Sequence, residues 1–451
     1  SSLGLMLLLL LVGLFVPTKA LVQLSKGKSA DKTVVAVGKD GKVIEGATVK
    51  VQADGTTVVV DASGNTVAGA SAAASTTATA STGSTAATGG SIDVQAGTGS
   101  ITQSTGSLFL STGATAAARL MAGTDVTVGD IELSAGKVSI TATAGSILDA
   151  DALVSAANDA DQDITASALR LFAGTGIASG GNHLETTVAT LSARAGNGGI
   201  YLLEADALTV DDVGLSVNRV GSDGTTLTTT TDAAQSDLVS ASNLVLVTLA
   251  GSLTSESAGG AISTAGNTLL QALGGTSDIT LGGELSNTAG NTSVDAARSV
   301  VQNANITVTG TGKTVDVLAG TSIVMGTGAA IATQDGNVVL TAGAGDVTLE
   351  SITAGSANVA VTAGGSIVDR DTAGDSVVDI AAAGLILNAG TGIGEGANHL
   401  ETSVSTLTAN AGAGGLYITE ANGVTVNSLT VAINRVATDA SVPGTGSGSA
   451  T

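Results

Sequence analysis

Cysteine is absent from the 451 residues, so disulfides and thiolate metal sites are excluded together. Tryptophan is absent too, aromatic residues make up 1% of the chain, and only 2 prolines occur. A conventional sandwich or barrel draws much of its core from large aromatic side chains. This core must therefore be built from small aliphatic residues, which suits a narrow, tightly wound structure. Scarce proline leaves backbone donors available for long hydrogen-bonded ladders. Basic residues are few as well, 16 against 38 acidic, for a net charge of -22. Residues 1–50 hold 7 of the basic and 3 of the acidic residues, so the remainder carries 9 against 35. A surface that negative repels nucleic acid and anionic lipid. It also keeps a β-rich chain soluble and discourages strand edges from pairing with other molecules. Only one long apolar run occurs, Leu3 to Val16. Its 14 residues are short of the roughly 20 that span a bilayer, and Thr18-Lys19-Ala20 places small residues where a signal peptidase expects them. The run reads as a signal-like helix at 1–20, with membrane contact only through this segment if it is uncleaved.

What is abundant is glycine, 63 residues, with alternating Val, Ile, Leu and Ala against Thr and Ser. That alternation favours strands. A mean hydropathy of +0.42 argues against disorder. Residues 21–67 alternate in short runs separated by Lys39-Asp40-Gly41-Lys42, Ala53-Asp54-Gly55 and Asp61–Asn65, the chemistry of a small β meander. Residues 68–89 are Ala/Ser/Thr/Gly low complexity and read as a linker.

From Gly90 a motif recurs: alternating apolar residues, an Ala-Gly step, then another apolar pair. Examples are RLMAGTDV from Arg119, ITATAGSI from Ile140, VLTAGAGDV from Val339 and ILNAGTGI from Ile386. Anchor alanines such as Ala122 and Ala144, or Ala389 and Ala411, lie 22 apart. In Asn337–Glu350, alternation turns Val338, Leu340, Ala342, Val347 and Leu349 inward and Asp346, Thr348 and Glu350 outward. The glycine after alanine lets the chain turn where a Cβ would clash. These features predict an all-β parallel solenoid of roughly 22-residue rungs. Over Gly90–Val436 that gives about 16 rungs and a rod of about 75 Å at the strand spacing.

One long stretch is present twice. Gly174–Val220 and Gly390–Val436 align without a gap at an offset of 216, with more than half the positions identical. Both histidines, His183 and His399, and both tyrosines, Tyr201 and Tyr417, occupy equivalent places. The duplication divides the chain into a module at 90–220, a polar linker or insertion at 221–240, a second module at 241–436 and a C-terminal linker at 437–451. Each copy ends in Asn-Arg-Val, at Asn218–Val220 and Asn434–Val436. A new module follows the first, which leads us to expect further modules in the natural protein.

The repeated AGTGI blocks (Ala173–Ile177, Ala389–Ile393), GSILD and GSIVD (Gly145–Asp149, Gly365–Asp369) and NHLET (Asn182–Thr186, Asn398–Thr402) carry a resemblance. The chain resembles the filamentous haemagglutinin-like giant repetitive surface adhesins of bacteria over about residues 90–436. The resemblance implies a right-handed parallel β-helix, export to the cell surface or medium, and a role in display or attachment. A host or neighbouring-cell surface ligand and lateral self-association are the partners it implies, with no nucleic acid.

Candidate chemistry is thin. TVTGTGKT at Thr307–Thr314 approximates a phosphate-binding loop, but Thr307 stands where glycine is required and strand-like Val315-Asp316-Val317 follows instead of a helix. His183 with Glu185, and His399 with Glu401, suggest metal ligands, yet the two pairs lie about ten rungs apart and cannot share an ion. A loop or corner role fits them better. The Asp149–Asp163 segment is the best stretch for calcium, which takes six to eight oxygens, and otherwise reads as a solvated acidic loop. Polysaccharide-active β-helices need paired carboxylates in a groove, and sugar platforms call for aromatic residues beyond Tyr201 and Tyr417. Thr-x-Thr at Thr141–Thr143 and Thr307–Thr309 does not recur rung after rung, as an ice-binding face would require. No catalytic, cofactor-binding or metal residue is assigned, and the chain is read as a structural or adhesive non-enzyme.

Overall fold

The structure is a computed structural model. It describes residues 90–151, 161–371 and 376–443 in full; outside them it describes only the backbone of short strands. The chain is a parallel β-solenoid of about 14 turns, with rungs of about 23 residues. Turns are fewer than the 16 expected, and the Val213–Val220 and Leu227–Gln235 strands pair with each other in a sheet of their own. Among the described residues no helix is long and apolar enough to cross a membrane.

Contacts divide the chain into two compact units. One comprises residues 1–151 with 215–232, the other 152–214 with 233–451. The 90–220 stretch of the sequence is thus shared between them.

In the second unit, through residues 238–369, each rung has three short strands. Thr268–Ala272, Ile279–Leu281 and Leu285–Asn287 form one rung, and Thr292–Ala296, Val300–Gln302 and Ile306–Val308 form the next. Parallel register stacks like on like and produces three inward columns. Leu246, Leu270, Val294, Val317, Leu340, Val361 and Leu387 form the first. Leu253, Ile279, Val300, Ile323, Val347, Ile367 and Ile393 form the second. Ile262, Leu285, Ile306, Ile331, Ile352 and Ile380 form the third. All are fully or almost fully buried. Branched aliphatic side chains on a pleated strand fill such an interior with no aromatic residue.

A stacked alanine, followed by glycine in most rungs, sits at one corner of the winding. Ala296, Ala319, Ala342, Ala363 and Ala389 stack in register and are buried. The glycines that follow the last four stack as well. A Cβ on Gly343, Gly364, Gly390 or Gly412 would meet the carbonyl oxygen of the glycine one rung below. Close approach of successive coils is therefore what demands glycine here. At another corner runs a ladder in which Asn243 Oδ1 accepts from Asn267 N (2.8 Å), Asn267 Oδ1 from Asn291 N (3.0 Å) and Asn291 Oδ1 from Thr314 N (3.0 Å).

The first unit follows the same rule, with Ile92, Ala118 and Val138 in one column and Val94, Leu120 and Ile140 in the adjacent one. The backbone of Ala78–Ala80 and Thr85–Thr88 pairs in parallel with Ile101–Gln103 and Phe109–Thr112. The winding therefore reaches back into the low-complexity 68–89 stretch: alanine and threonine fit a stacked strand as well as a linker. Within 21–67, Thr48–Val51 pairs antiparallel with Thr57–Val60, as the meander requires. Of residues 1–20 only the backbone of Leu10–Gly13 and Val16–Lys19 is described, as an antiparallel pair in place of the expected helix. Pro17 lies within that pair, and proline disfavours a helix interior.

Candidate functional site

The duplicated stretch builds two kinds of feature, a strap and a carboxylate cluster. The strap begins where each copy ends. In the second unit Leu429–Asn434 leaves the winding and lies along the outer face of successive rungs. Val431 and Ile433 pack on Val339, Ala360 and Ile386, residues stacked in one outward column. Arg435 Nε donates to Asp316 Oδ2 at 2.6 Å, and Val436 N donates to Ser293 Oγ at 3.0 Å, one rung further down. Asn434 N donates to Thr314 Oγ1 at 2.9 Å. The first unit repeats the arrangement with the equivalent residues. Leu215 and Val217 pack on Ala117, Arg219 pairs with Asp93 at 2.7 Å, and Asn218 N donates to Ser91 Oγ. Asp93 also pairs with the buried Arg119, whose Nε donates to Asp232 Oδ1 at 2.8 Å. The 221–237 segment turns back as Leu227–Gln235, paired with Val213–Val220, and supplies Asp232.

His183 and Glu185, neighbours in sequence, face different partners. His183 stacks on Tyr201 at 6.1 Å and its Nε2–H donates to Thr438 O of the strap at 3.0 Å. Burial lowers its pKa, and its Nδ1 has no hydrogen-bond partner among the described residues. Tyr201 in turn packs with Val436 and Ala440. In the second copy His399 stacks on Tyr417 at 6.0 Å and meets Thr419 Oγ1 at 2.9 Å, but Tyr417 is exposed. The strap thus covers the first histidine–tyrosine pair alone.

Glu401 belongs instead to a cluster with Asp369 and Asp379. One carboxylate oxygen of each lies within 4.8 Å of the others. Asp369 ends the Ile367–Asp369 strand. Asp379 stands just before Ile380–Ala389, and Glu401 lies one rung above it. Glu401 N donates to Asp379 Oδ2 at 2.7 Å, and Asp379 N donates to Glu401 O at 2.9 Å. Asp371 N donates to Asp369 Oδ1 at 2.8 Å. All three carboxylates are buried, Asp379 completely. Burial pushes Asp379 well above the ordinary carboxylate range; the Glu401 N–H opposes this, and the Asp369 and Glu401 charges reinforce it. In the first copy Asp163 and Glu185 repeat the contact, with Glu185 N donating to Asp163 Oδ2 at 2.8 Å.

A fourth carboxylate is structural. Glu204 accepts from Thr186 Oγ1 (2.6 Å), from Val188 N (3.1 Å) and from Asp206 N (3.3 Å), and burial pushes it up to about 8. Glu420 repeats the staple on Thr402, Val404 and Asn422.

The remaining sequence candidates resolve plainly. Thr307–Thr314 is a strand end and a turn closed by Lys313 N to Gly310 O, and Val315–Ala319 follows directly as a strand. Such a turn offers no helix N-terminus to a phosphate. Of Asp149–Asp163, residues 152–160 lie outside the described residues. Reasoning from the sequence picked out Asp163, Glu185 and Glu401 but missed Asp379 and Asp369 as partners. The retained Asp in GSILD and GSIVD was the signal for Asp369.

No family model, no curated protein and no solved structure matches the chain.

Proposed function

We propose that this chain is an exported structural and adhesive β-solenoid segment of a large bacterial surface protein of the filamentous haemagglutinin-like kind, serving as stalk or passenger for attachment. One observation carries the reading, the outward repetition. Thr254, Thr280, Val301, Val324, Thr348 and Val368 stack rung on rung as half-buried side chains on one lateral face. A ladder of this kind offers a repeating surface to a long or multivalent ligand, as solenoids do. The aliphatic interior and the straps are consistent with a scaffold whose work is mechanical. Secretion or cell-surface display follows from the same reading, as does a ligand on a host or neighbouring cell.

Beads coated with the full chain test this against host epithelial cells and bacterial cells. Attachment above that of albumin-coated beads is expected. Replacing only the exposed turn at 221–226 with Gly/Ser of equal length, sparing Asp232, separates loop from lateral face: attachment that survives the replacement assigns adhesion to the ladder. Beads that attach to neither cell type would overturn the adhesive reading.

A further inference from the structure

We propose that Asp369, Asp379 and Glu401 form a binding site for a hard divalent cation of the calcium type, which ties Asp369 and Asp379 to Glu401 on the rung above. The inference goes beyond a stalk or attachment role and does not depend on it.

Two observations carry it besides the cluster itself. Asp379 is 0% exposed, and its Oδ1 has no hydrogen-bond partner among the described residues. Its Oδ2 accepts from Glu401 N, and one carboxylate oxygen each of Asp369, Asp379 and Glu401 lie within 4.8 Å of one another. A buried carboxylate oxygen without a donor, set among other carboxylates, is what a cation would satisfy. Second, the duplication has kept the acids while changing what lies between them. Asp163 and Glu185 stand at the positions of Asp379 and Glu401, 216 residues earlier, with the same backbone contact. Asp149 closes GSILD as Asp369 closes GSIVD, at an offset of 220. The intervening stretch of sequence thus differs in length by four residues between the copies, while an aspartate stands at each of its two ends in both. Solvated surface acids have no reason to survive that drift in place.

The donor set selects the ion. Three carboxylates supply up to six oxygens, which suits Ca²⁺ and its flexible coordination of six to eight. Zinc prefers nitrogen and sulfur ligands. The chain has no cysteine, and His399 faces Thr419 and Tyr417 instead of Glu401. A dipositive ion also leaves the site with a single net negative charge, much less costly to bury than three.

The test is equilibrium dialysis of the chelator-treated full chain against CaCl₂ at pH 7.5, with and without Asp379→Asn. Asn keeps the shape and an acceptor oxygen for Glu401 N–H. The parent is expected to bind calcium with a rise in its unfolding midpoint. The variant is expected to lose one equivalent of bound calcium while its far-ultraviolet dichroism and chelated midpoint match or exceed those of the parent. A parent that binds no calcium overturns the proposal whatever the variant does. A variant that folds and binds as many equivalents as the parent overturns it as well, leaving a buried acid pair that shares a proton. If Asp379→Asn fails to fold, Glu401→Gln provides the same comparison.

Discussion

At the residue scale the chain holds its few charges in places where they lock strands together. Arg435 and Arg219 show this best, since each anchors a strap to an aspartate on a rung. Asp316 is buried, and burial raises its pKa while Arg435 works against that rise. Arg435→Ala should leave Asp316 without its partner and cost about 1–3 kcal/mol, the range for stranding a buried polar group. The low end applies because Arg435 is itself half exposed. Denaturant titration measures the cost, and faster hydrogen exchange across residues 429–436 should accompany it. Glu204 makes a prediction about pH. Its folded-state pKa is raised above the unfolded value, so it favours the folded state at low pH, and that contribution is lost as pH rises toward and through about 8. Stability in chelator should therefore fall from pH 6.5 to 8.5, and Glu204→Gln should flatten the decline. His183, with its lowered pKa, acts in the opposite sense, its contribution being lost as pH falls through its ordinary value of 6.5, at the lower edge of this window. A midpoint equally pH-dependent in parent and variant would remove Glu204 from the account.

At the element scale the stacked Ala-Gly corner is the feature most dependent on residue type. Gly364→Ala places a Cβ against the Gly343 carbonyl oxygen and the Ala344 backbone, and backbone atoms cannot rotate aside. Overpacking of this kind costs about 1–3 kcal/mol. Gly423→Ala, where a Cβ meets nothing within 4 Å, is the matched control and should be close to neutral. Equal unfolding midpoints for the two variants would show that the corner does not need its glycine. This element was legible in the sequence because it depends on a period-two pattern and a recurrent dipeptide, both local. The inward set read from Asn337–Glu350 matches the buried residues Val338, Leu340, Ala342, Val347 and Leu349. Val339 is buried too, although alternation turns it outward, because the strap residues Val431 and Ile433 cover it from about 90 positions away. Asn-Arg-Val looked like a module end for the same reason: Asp316 and Asp93, its partners, lie more than 100 residues off. The cluster was half legible. Glu401 appeared through NHLET but was paired with His399 by proximity in sequence, whereas stacking by one rung, 22 residues, supplies Asp379.

At the scale of the whole molecule the account rests on successive rungs being stacked in parallel. The inward columns carry that stacking, so Leu340→Ala, which empties part of one, should cost about 2–5 kcal/mol in a denaturant titration. The absence of cysteine allows a more direct test. Thr280 and Val301 are parallel partners on adjacent rungs, and both side chains turn outward. Val324 is the next in that column. Adjacent strands lie about 4.8 Å apart, within the Cα separation a disulfide accepts, whereas two rungs put about 9.6 Å between the residues, beyond it. The measurement is intramolecular crosslinking under mild oxidation in the full chain carrying Thr280→Cys with Val301→Cys, set against Thr280→Cys with Val324→Cys. The stacked solenoid predicts efficient crosslinking of the first pair and little of the second. Failure of the first pair to crosslink while the protein is folded, or equal crosslinking of both, would contradict the register on which the rungs, the straps and the carboxylate cluster all depend.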